Sequence, residues 1–438
     1  MRFIRVLIIL TLVVSLAGSL VGCATETGQV SPKQALQTQK EAPKEAPKTD
    51  IASEDQKAVA AKETKGGKVK IGLVYPLSGP AASTGESAKK GALFAAEEIN
   101  KAGGIKALGG ATLEMIPVDD QGKPDVAMSQ TEYLINNENV VAIVGTALSA
   151  TAIAASQVAD RAGVPWLNDI AGAPEMTERG LANVFSIAAP IPVGVASDAG
   201  FIKYAAEKSG NKIKRLAFLY EDTEFGQGLS GGLKKVLQPQ GFEVAADIVF
   251  TAGIKDPTPE IMKIKAANPD FVYVAANVAD SIVIVRTMDR LNYRPLLQGG
   301  GNGFLDAEFL KSVGKAAEGA FTGDAWSKDL SVGKDVNERF KAKYGHDMDS
   351  HSPQAYQAVI VIAEALEKAG SAERSALREG LKKVDIPPGP RLVMPFDRVK
   401  FDEKGQNASV RIVTQIQDGQ YVTVYPAKYA TKELRLTR

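Results

Sequence analysis

The sequence is poor in the side chains that enzymes most often use as nucleophiles or metal ligands. Its 438 residues include one cysteine and two histidines. The chain has no HExxH motif and no cysteine near a histidine, so no familiar nucleophile or zinc site can be assembled from it. We therefore predict a protein without catalytic residues and without a cofactor.

The two histidines lie in one short polar stretch. His346 and His351 belong to GHDMDSH, which also contains Asp347 and Asp349. Imidazole and carboxylate groups could ligate a metal ion, but the stretch falls between two helical segments. We interpret it as a polar loop and predict no metal site.

Net charge is nearly absent as well. The chain has 52 basic and 51 acidic residues, and the basic residues form no cluster. Nucleic-acid-binding proteins need a basic patch that neutralises phosphates. The sequence therefore predicts no nucleic acid partner.

The most apolar run lies at the start of the chain. Arg2 and Arg5 precede an almost unbroken apolar stretch from Val6 to Val21, which is typical of a secretory signal peptide. The run is shorter than the roughly 20 residues that a membrane-spanning helix needs. A transmembrane helix is thus the weaker alternative, and no later segment is apolar enough to span a membrane.

The single cysteine, Cys23, ends this run within SLVGCAT. Leu20-Val21-Gly22-Cys23 resembles the lipobox of bacterial lipoproteins, in which the thiol is alkylated by a diacylglycerol and the peptide is cut before the cysteine. Alkylation would also remove an unpaired thiol, which is a hazard in an oxidising compartment. We predict a signal peptide over residues 1–22 and a lipid anchor at Cys23. The alternative is a cysteine that happens to end an apolar segment.

Residues 23–67 contain hardly any large apolar side chain. Lysine, glutamate, glutamine, threonine, alanine and proline dominate, and KEAPKEAPK spans residues 40–48. Such a composition cannot bury enough surface to fold. We predict a disordered tether between the membrane and a folded body; a helical interaction segment is the alternative.

The remaining residues alternate short β-rich runs with longer helical stretches. The first set of runs is KVKIGLVY, ATLEMIPVDD, VVAIVG and VPWLND. The pattern restarts after Pro190 with KRLAFLY, FEVAADIVF, DFVYVAAN and PLLQGG. Strands that alternate with helices form parallel sheets, so we predict an α/β fold with two Rossmann-like lobes. Near the end, Asp418-Gly419 between alternating segments predicts a β-hairpin.

One glycine motif is compatible with an enzyme. Gly226-Gln-Gly228-Leu-Ser-Gly231 fits the G-x-G-x-x-G pattern of dinucleotide-binding proteins and follows a predicted strand. However, EDTEF separates the strand from the glycines, and carboxylates beside a helix N-terminus oppose phosphate binding. Dinucleotide binding is therefore the weaker interpretation.

A strand-to-helix corner offers a different kind of site. VGTALSATAIAA places Ser149 and Thr151 at the opening of a helix, where hydroxyls and free backbone N–H groups suit a carboxylate. A plain helix cap is the alternative.

From about Val69 onward the chain resembles the leucine/isoleucine/valine-binding branch of the type I periplasmic binding proteins, the ligand receptors of ABC importers. The matching stretches are IGLVYPLSGPAASTGES, AAEEINKAGGI, PVDDQGKP, GTALSATA, GAPEMTERG, EDTEFGQG and AAEGAFTGDAW. The resemblance implies two lobes joined by a three-segment hinge. Lobe one would be residues 68–190 with 323–403, and lobe two residues 191–322 with 404–438.

The resemblance also implies the ligand-binding positions. Ser149, Ala150 and Thr151 would hold a ligand carboxylate, together with Ala171 and Gly172, where the family usually has threonine at the latter. The opposite lobe would contribute Phe225 and Asn277, and Tyr356 and Thr84 match wall positions. The family's acidic partner for an ammonium group falls on Gly301, next to Asn302, and Asp280 could substitute for it.

The resemblance, together with the lipobox, implies a lipid-anchored extracytoplasmic solute-binding protein, monomeric, that passes its ligand to an ABC permease and its ATPase. Because an ammonium group without an acidic partner is costly to bury, the glycine at 301 favours a carboxylate or amide with an uncharged, apolar body over an amino acid. A signalling receptor of the same fold is the alternative, and an enzyme is a third.

Overall fold

The structure, a computed structural model, describes residues 66–436. The predicted signal peptide, the lipid anchor at Cys23 and the predicted tether up to residue 65 lie outside the described residues.

Twelve β-strands lie within residues 66–436 and form two sheets. In chain order they are β1 (Lys68–Tyr75), β2 (Thr112–Asp119), β3 (Ala142–Gly145), β4 (Trp166–Asn168), β5 (Val184–Ser186), β6 (Arg215–Glu221), β7 (Glu243–Phe250), β8 (Phe271–Ala275), β9 (Leu297–Gly299), β10 (Phe321–Asp324), β11 (Ile412–Gln417) and β12 (Gln420–Tyr425).

The helices of the same part of the chain connect and cover these strands. They are α1 (Ala82–Lys101), α2 (Pro124–Asn136), α3 (Ser149–Arg161), α4 (Glu175–Glu178), α5 (Ile191–Lys208), α6 (Glu224–Leu237), α7 (Thr258–Ala267), α8 (Val278–Arg290), α9 (Ala307–Val313), α10 (Lys334–Tyr344), α11 (His351–Ala369) and α12 (Arg374–Lys382).

The first sheet has the order β2-β1-β3-β4-β5, and every neighbouring pair is parallel. Parallel neighbours require crossover connections, which the alternating sequence pattern supplies as helices. In β1 the last five residues are all buried, as expected for a strand with helices on both faces. The predicted α/β class is confirmed for this half.

The second sheet has the order β12-β11-β10-β9-β8-β6-β7. Its strands β6 to β10 pair in parallel, whereas β11 pairs antiparallel with both β10 and β12. The predicted hairpin at Asp418-Gly419 is confirmed, since both residues have positive φ angles of 54° and 71°, the conformation that a tight hairpin turn needs. The second sheet is therefore mixed rather than wholly parallel.

The helices that follow β10 pack onto the first sheet and not the second. The Phe94 ring of α1 lies 5.5 Å from the Phe340 ring of α10 and 5.9 Å from the Tyr356 ring of α11. Almost all of α11 is buried in this cluster, and each large apolar side chain buried there contributes about 1.5–3 kcal/mol.

The chain consequently crosses between the two sheets three times, after β5, after β10 and before β11. The first and third crossings are bonded to each other, because Ser186 N–H donates to Gly405 O and Asn407 N–H donates to Ser186 O, both at 2.8 Å. The third also contacts the second through Arg411, whose Nη2 donates to Gly323 O at 2.7 Å. Because the three crossings lie side by side, they join the two sheets along one edge. Beyond the crossings, the two sheets face each other.

Candidate functional site

A cavity of about 190 Å³, the ligand cavity, lies where corners of the two sheets face each other. The first sheet contributes residues that follow β2, β3 and β4, and the second contributes residues from α5, the ends of β6 and β8, and the start of α6. Its apolar lining consists of Ala147, Leu148, Ala150, Ile170, Ala189, Pro190, Ile191, Phe225 and Leu229. Ligands of open α/β sheets bind beyond the carboxyl ends of the strands, which is where this cavity lies.

The corner between β3 and α3 exposes a helix N-terminus to the ligand cavity. Gly145 turns the chain there with a φ of 141°, and a Cβ at this position would lie 2.2 Å from Val74 O. The N-cap residue is Leu148, which makes no side-chain hydrogen bond to the helix. The first N–H groups of a helix have no partner within it, and leucine cannot supply one. They are therefore suited to an anionic oxygen from a ligand.

Two of the three residues predicted at this corner line the cavity. Ser149 and Ala150 belong to the lining, whereas Thr151 does not. The Thr151 hydroxyl donates to Leu148 O at 2.8 Å, and the residue is fully buried. Its side chain thus stabilises the start of α3 and is not available to a ligand.

The next corner divides in a similar way. Gly172 lines the cavity, whereas Ala171 packs in the core and accepts a hydrogen bond at its carbonyl from Asn168 Nδ2. A Cβ on Gly172 would make ordinary contacts of 3.4 Å with Ala189 O and Ile191 Cγ1. Glycine in place of the family's threonine therefore leaves extra room in the cavity.

Opposite α3, the ligand cavity contains a carboxylate that the sequence did not single out as a binding group. Glu221 ends β6, lines the cavity and is 1% exposed. Thr223 Oγ1 donates to Glu221 Oε1 at 2.7 Å, and Asn277 donates its backbone N–H to Oε2 at 2.9 Å. Asn277 Nδ2 also contacts both oxygens, at 2.8 and 2.9 Å. These bonds hold the carboxylate in one position.

Glu221 carries a buried charge without a basic partner. Within residues 66–436 it forms no ion pair. Burial raises the pKa of Glu221, and the hydrogen bonds from Thr223 and Asn277 offset part of that rise. Buried charges are normally paired, so this carboxylate is suited to a cationic or hydrogen-donating group of a ligand. Its place at the end of a parallel strand was the signal that could have identified it.

Asp280 does not lie in this cavity. It is a buried residue in the first turn of α8, and its Oδ2 accepts a hydrogen bond from Gly253 N at 2.8 Å. Its carboxylate therefore stabilises the loop after β7. The geometry favours Glu221 over Asp280 as the acidic group of the site.

The other predicted positions lie in three places. Phe225 and Asn277 line the ligand cavity. Gly301 and Asn302 open the short turn Gly301–Phe304 after β9, and their side chains lie outside the described part of the structure. Thr84 is buried in α1, and Tyr356 is buried in α11 with its hydroxyl donating to Glu98 Oε2 at 2.7 Å. The structure places Thr84 and Tyr356 in the packing of α1 and α11, not on the cavity wall.

Sequence reasoning also missed Asp198 and Arg411, which line the cavity at the back. Asp198 on α5 accepts hydrogen bonds from Tyr273 Oη at 2.6 Å and from Gln298 Nε2 at 2.8 Å. Burial raises the pKa of Asp198 to about 6, and the nearby Arg411 guanidinium limits the rise. No local motif marks either residue. They are far apart in the sequence, and they come together only because the chain crosses between the two sheets.

Two glycines of the α6 motif allow close packing. A Cβ on Gly226 would lie 2.2 Å from Glu221 O, and a Cβ on Gly228 would lie 3.2 Å from Ile191 Cδ1 on α5, whereas a Cβ on Gly231 would meet nothing within 4 Å. The stretch from Gly228 to Gly232 also fits the G-x-S-x-G pattern of hydrolases, but Ser230 is fully buried inside α6 and not at a strand-to-helix elbow. The glycines thus let α6 approach β6 and α5 closely.

Two facing α/β sheets with a cavity between them define a class of two-lobed binding proteins. Residues 68–420 match the sequence model of the family described as periplasmic binding protein. The Leu/Ile/Val-binding protein homolog 7 of Brucella suis is 32% identical over 381 residues, which are 84% of this chain and 94% of that protein. The chain belongs to the periplasmic binding protein family.

Solved structures of similar proteins share the fold. The branched-chain amino acid transporter substrate-binding protein LivJ of Streptococcus pneumoniae, in complex with isoleucine, has a TM-score of 0.73 and 24% identity over 82% of this chain and 100% of its own. A solute-binding protein of an ABC transporter from R. palustris, in complex with benzoate, has a TM-score of 0.72 and 22% identity over 82% of this chain and 95% of its own.

Family membership makes this chain a solute-binding protein and not an enzyme, and it implies a location outside the cytoplasm. Within residues 66–436, no helix combines the length and the apolar character that a membrane crossing requires.

Proposed function

We propose that this protein captures a small apolar α-amino acid, such as leucine, and delivers it to an ABC importer. The observation that carries the proposal is Glu221, a buried carboxylate without a basic partner that faces the ligand cavity opposite the N-terminus of α3. The end of the cavity at α3 thus favours a negatively charged group, and the end at Glu221 favours a positively charged one. A zwitterion carries both groups.

The ligand would bind with its carboxylate at α3 and its ammonium group at Glu221. Ser149 and the free N–H groups of α3 would receive the carboxylate. The apolar side chain would pack against Phe225, Ile191 and Leu229. A cavity of about 190 Å³ is below the usual range of roughly 300–1,000 Å³ for drug-sized ligands, which supports a small ligand.

This proposal differs from the expectation drawn from Gly301. Sequence alone offered Asp280 only as a substitute for the missing acidic group, and it favoured a carboxylate or amide with an uncharged body. Glu221 provides that acidic group from another strand. The two similar solved proteins carry isoleucine, which has an ammonium group, and benzoate, which has none. Comparing ligands with and without an ammonium group therefore distinguishes an amino acid from a simple carboxylate.

The two sheets would act as closing lobes. We propose that residues 68–190 with 323–403 form one lobe and residues 191–322 with 404–438 the other. Because the cavity is lined from both sheets, a bound ligand contacts both and stabilises the closed arrangement. The protein would act as a monomer held to the membrane by lipid on Cys23, and its partners would be the importer's permease and ATPase.

Calorimetric titration with four ligands tests the proposal. Leucine has both charged groups, 4-methylpentanoate has only the carboxylate, and 3-methylbutylamine has only the amine. Benzoate is an aromatic carboxylate. We expect leucine to bind roughly 10- to 150-fold more tightly than 4-methylpentanoate, the range for one hydrogen bond to a charged group. Tighter binding of 4-methylpentanoate or benzoate would replace the amino acid with an apolar acid as the ligand.

A further inference from the structure

A second polar cluster lies away from the ligand cavity. Asp349 and His351 stand at the start of α11, which packs on the first sheet, and Asp306 caps the N-terminus of α9, which packs on the second. One ligating atom from each of the three side chains lies within 4.8 Å of the others. We call these three residues the acid–histidine cluster. Sequence reasoning placed His351 in a polar loop; the structure places it in a helix, fully buried.

The two carboxylates have oxygens available for a further ligand. Asp349 Oδ1 accepts hydrogen bonds from the backbone N–H of His351 at 2.9 Å and of Ser352 at 3.1 Å. Asp306 Oδ1 accepts one from Glu308 N at 2.8 Å. Asp306 is 2% exposed, and its Oδ2 is buried without a hydrogen-bond partner among the described residues. A buried carboxylate oxygen in this condition is costly, and a cation would compensate it.

A second cavity of about 270 Å³ reaches the cluster at Asp349, whereas Asp306 and His351 do not line it. It shares no lining residue with the ligand cavity, and its other lining residues come from the segment before α11, from the region of α9 and from the second sheet. Lys328, which also lines it, already contacts Asp347 at 3.2 Å and Gln420 at 2.6 Å. That lysine is therefore engaged and does not neutralise the two carboxylates of the cluster.

We propose that Asp306, Asp349 and His351 bind a divalent transition-metal ion, such as Zn²⁺ or Mn²⁺, between α9 and α11. An imidazole nitrogen with two carboxylate oxygens is a donor set that suits these ions. Three protein ligands leave a coordination position for water from the second cavity. The ion would tie the two sheets together at a point separate from the ligand cavity.

Such an ion would also be coupled to the ligand. If the proposed function holds, and if the three side chains of the cluster come together only when the lobes are closed, the ion and the ligand stabilise the same state. Each would then raise the affinity of the other by an equal factor.

The test uses metal ions alone, so its outcome does not depend on the identity of the ligand. The full chain carries Cys23→Ser in every sample, which keeps that thiol from binding zinc. Titration with Zn²⁺ and with Mn²⁺, against a chromophoric chelator, should show one bound equivalent and a rise in melting temperature. His351→Gln and Asp306→Asn should each weaken binding by about tenfold or more, since each removes a ligand. X-ray absorption should show one imidazole in the ion's shell.

His346→Gln is the matched control, because His346 is exposed and outside the cluster. It should leave the bound equivalent unchanged. Absence of saturable metal binding by the folded Cys23→Ser chain would overturn the proposal. So would a His346→Gln variant that loses as much affinity as His351→Gln.

Discussion

Replacing Glu221 by glutamine tests the central feature of the ligand cavity with little change in shape. The amide can keep most of the existing bonds, since its nitrogen can donate to Thr223 Oγ1 and its oxygen can accept from the N–H and Nδ2 of Asn277. The substitution removes the negative charge and one hydrogen bond, that of Asn277 Nδ2 to Oε1. We therefore expect the melting temperature of Glu221→Gln to stay close to that of the wild type.

The affinity for leucine should fall substantially. A hydrogen bond to a charged group is worth about 1.5–3 kcal/mol, which corresponds to a loss of roughly 10- to 150-fold. Binding of 4-methylpentanoate, which has no ammonium group, should be unchanged or improved. The two ligands together isolate the interaction between the ammonium group and the carboxylate, as a double-mutant cycle does.

Isothermal titration calorimetry at several pH values completes this test. Burial raises the pKa of Glu221 above its ordinary value, and only the ionised form attracts an ammonium group. Leucine affinity should therefore weaken as the pH falls through that raised pKa, whereas Glu221→Gln should show no such change. Asp280→Asn should keep the preference for leucine over 4-methylpentanoate, because Asp280 lies outside the cavity. It should move the pH dependence to lower pH, because the Asp280 charge helps to raise the pKa of Glu221. Equal losses for leucine and 4-methylpentanoate in Glu221→Gln would refute the reasoning.

Three further predictions address the carboxylate site, the core and the anchor. Ser149→Ala should weaken ligand binding by about 1–3 kcal/mol, whereas Thr151→Val should not, because the Thr151 hydroxyl is bonded to Leu148 O; calorimetry showing equal effects would contradict the assignment. Burial raises the pKa of Asp169 to about 7, so the contribution of Asp169 to stability should be complete below the unfolded pKa of about 4 and should fall by about 3 kcal/mol between pH 5 and 8. Urea unfolding at several pH values should show that the free energy of unfolding of Asp169→Asn depends less on pH than that of the wild type. An identical pH dependence in the two proteins would contradict this prediction. Cys23→Ser should release the protein from membranes or leave an uncleaved precursor, as fractionation and mass spectrometry of the N-terminus would reveal; an unlipidated mature N-terminus elsewhere would disprove the anchor.

Local patterns in the sequence determined the class of fold. β-rich runs such as KVKIGLVY alternate with helical segments, and this alternation is a local property that each strand and helix expresses in its own side chains. The hairpin at Asp418-Gly419 was predictable for the same reason, because two residues set its turn. The corner at Ser149 was predictable as well, since a helix start after a buried strand has a short-range signature.

Tertiary structure decided which of these corners share a cavity. Glu221 follows one strand among many, and only the pairing of β6 with β8 brings Asn277 to its carboxylate. The sequence around Tyr356 does not indicate that α11 packs against α1. That packing buries Tyr356 away from the ligand cavity. Asp306 and His351 are 45 positions apart in the sequence. Their side chains lie close together only because the chain crosses between the sheets. Contacts between distant segments depend on the packing of whole sheets, and no window of the sequence contains that information.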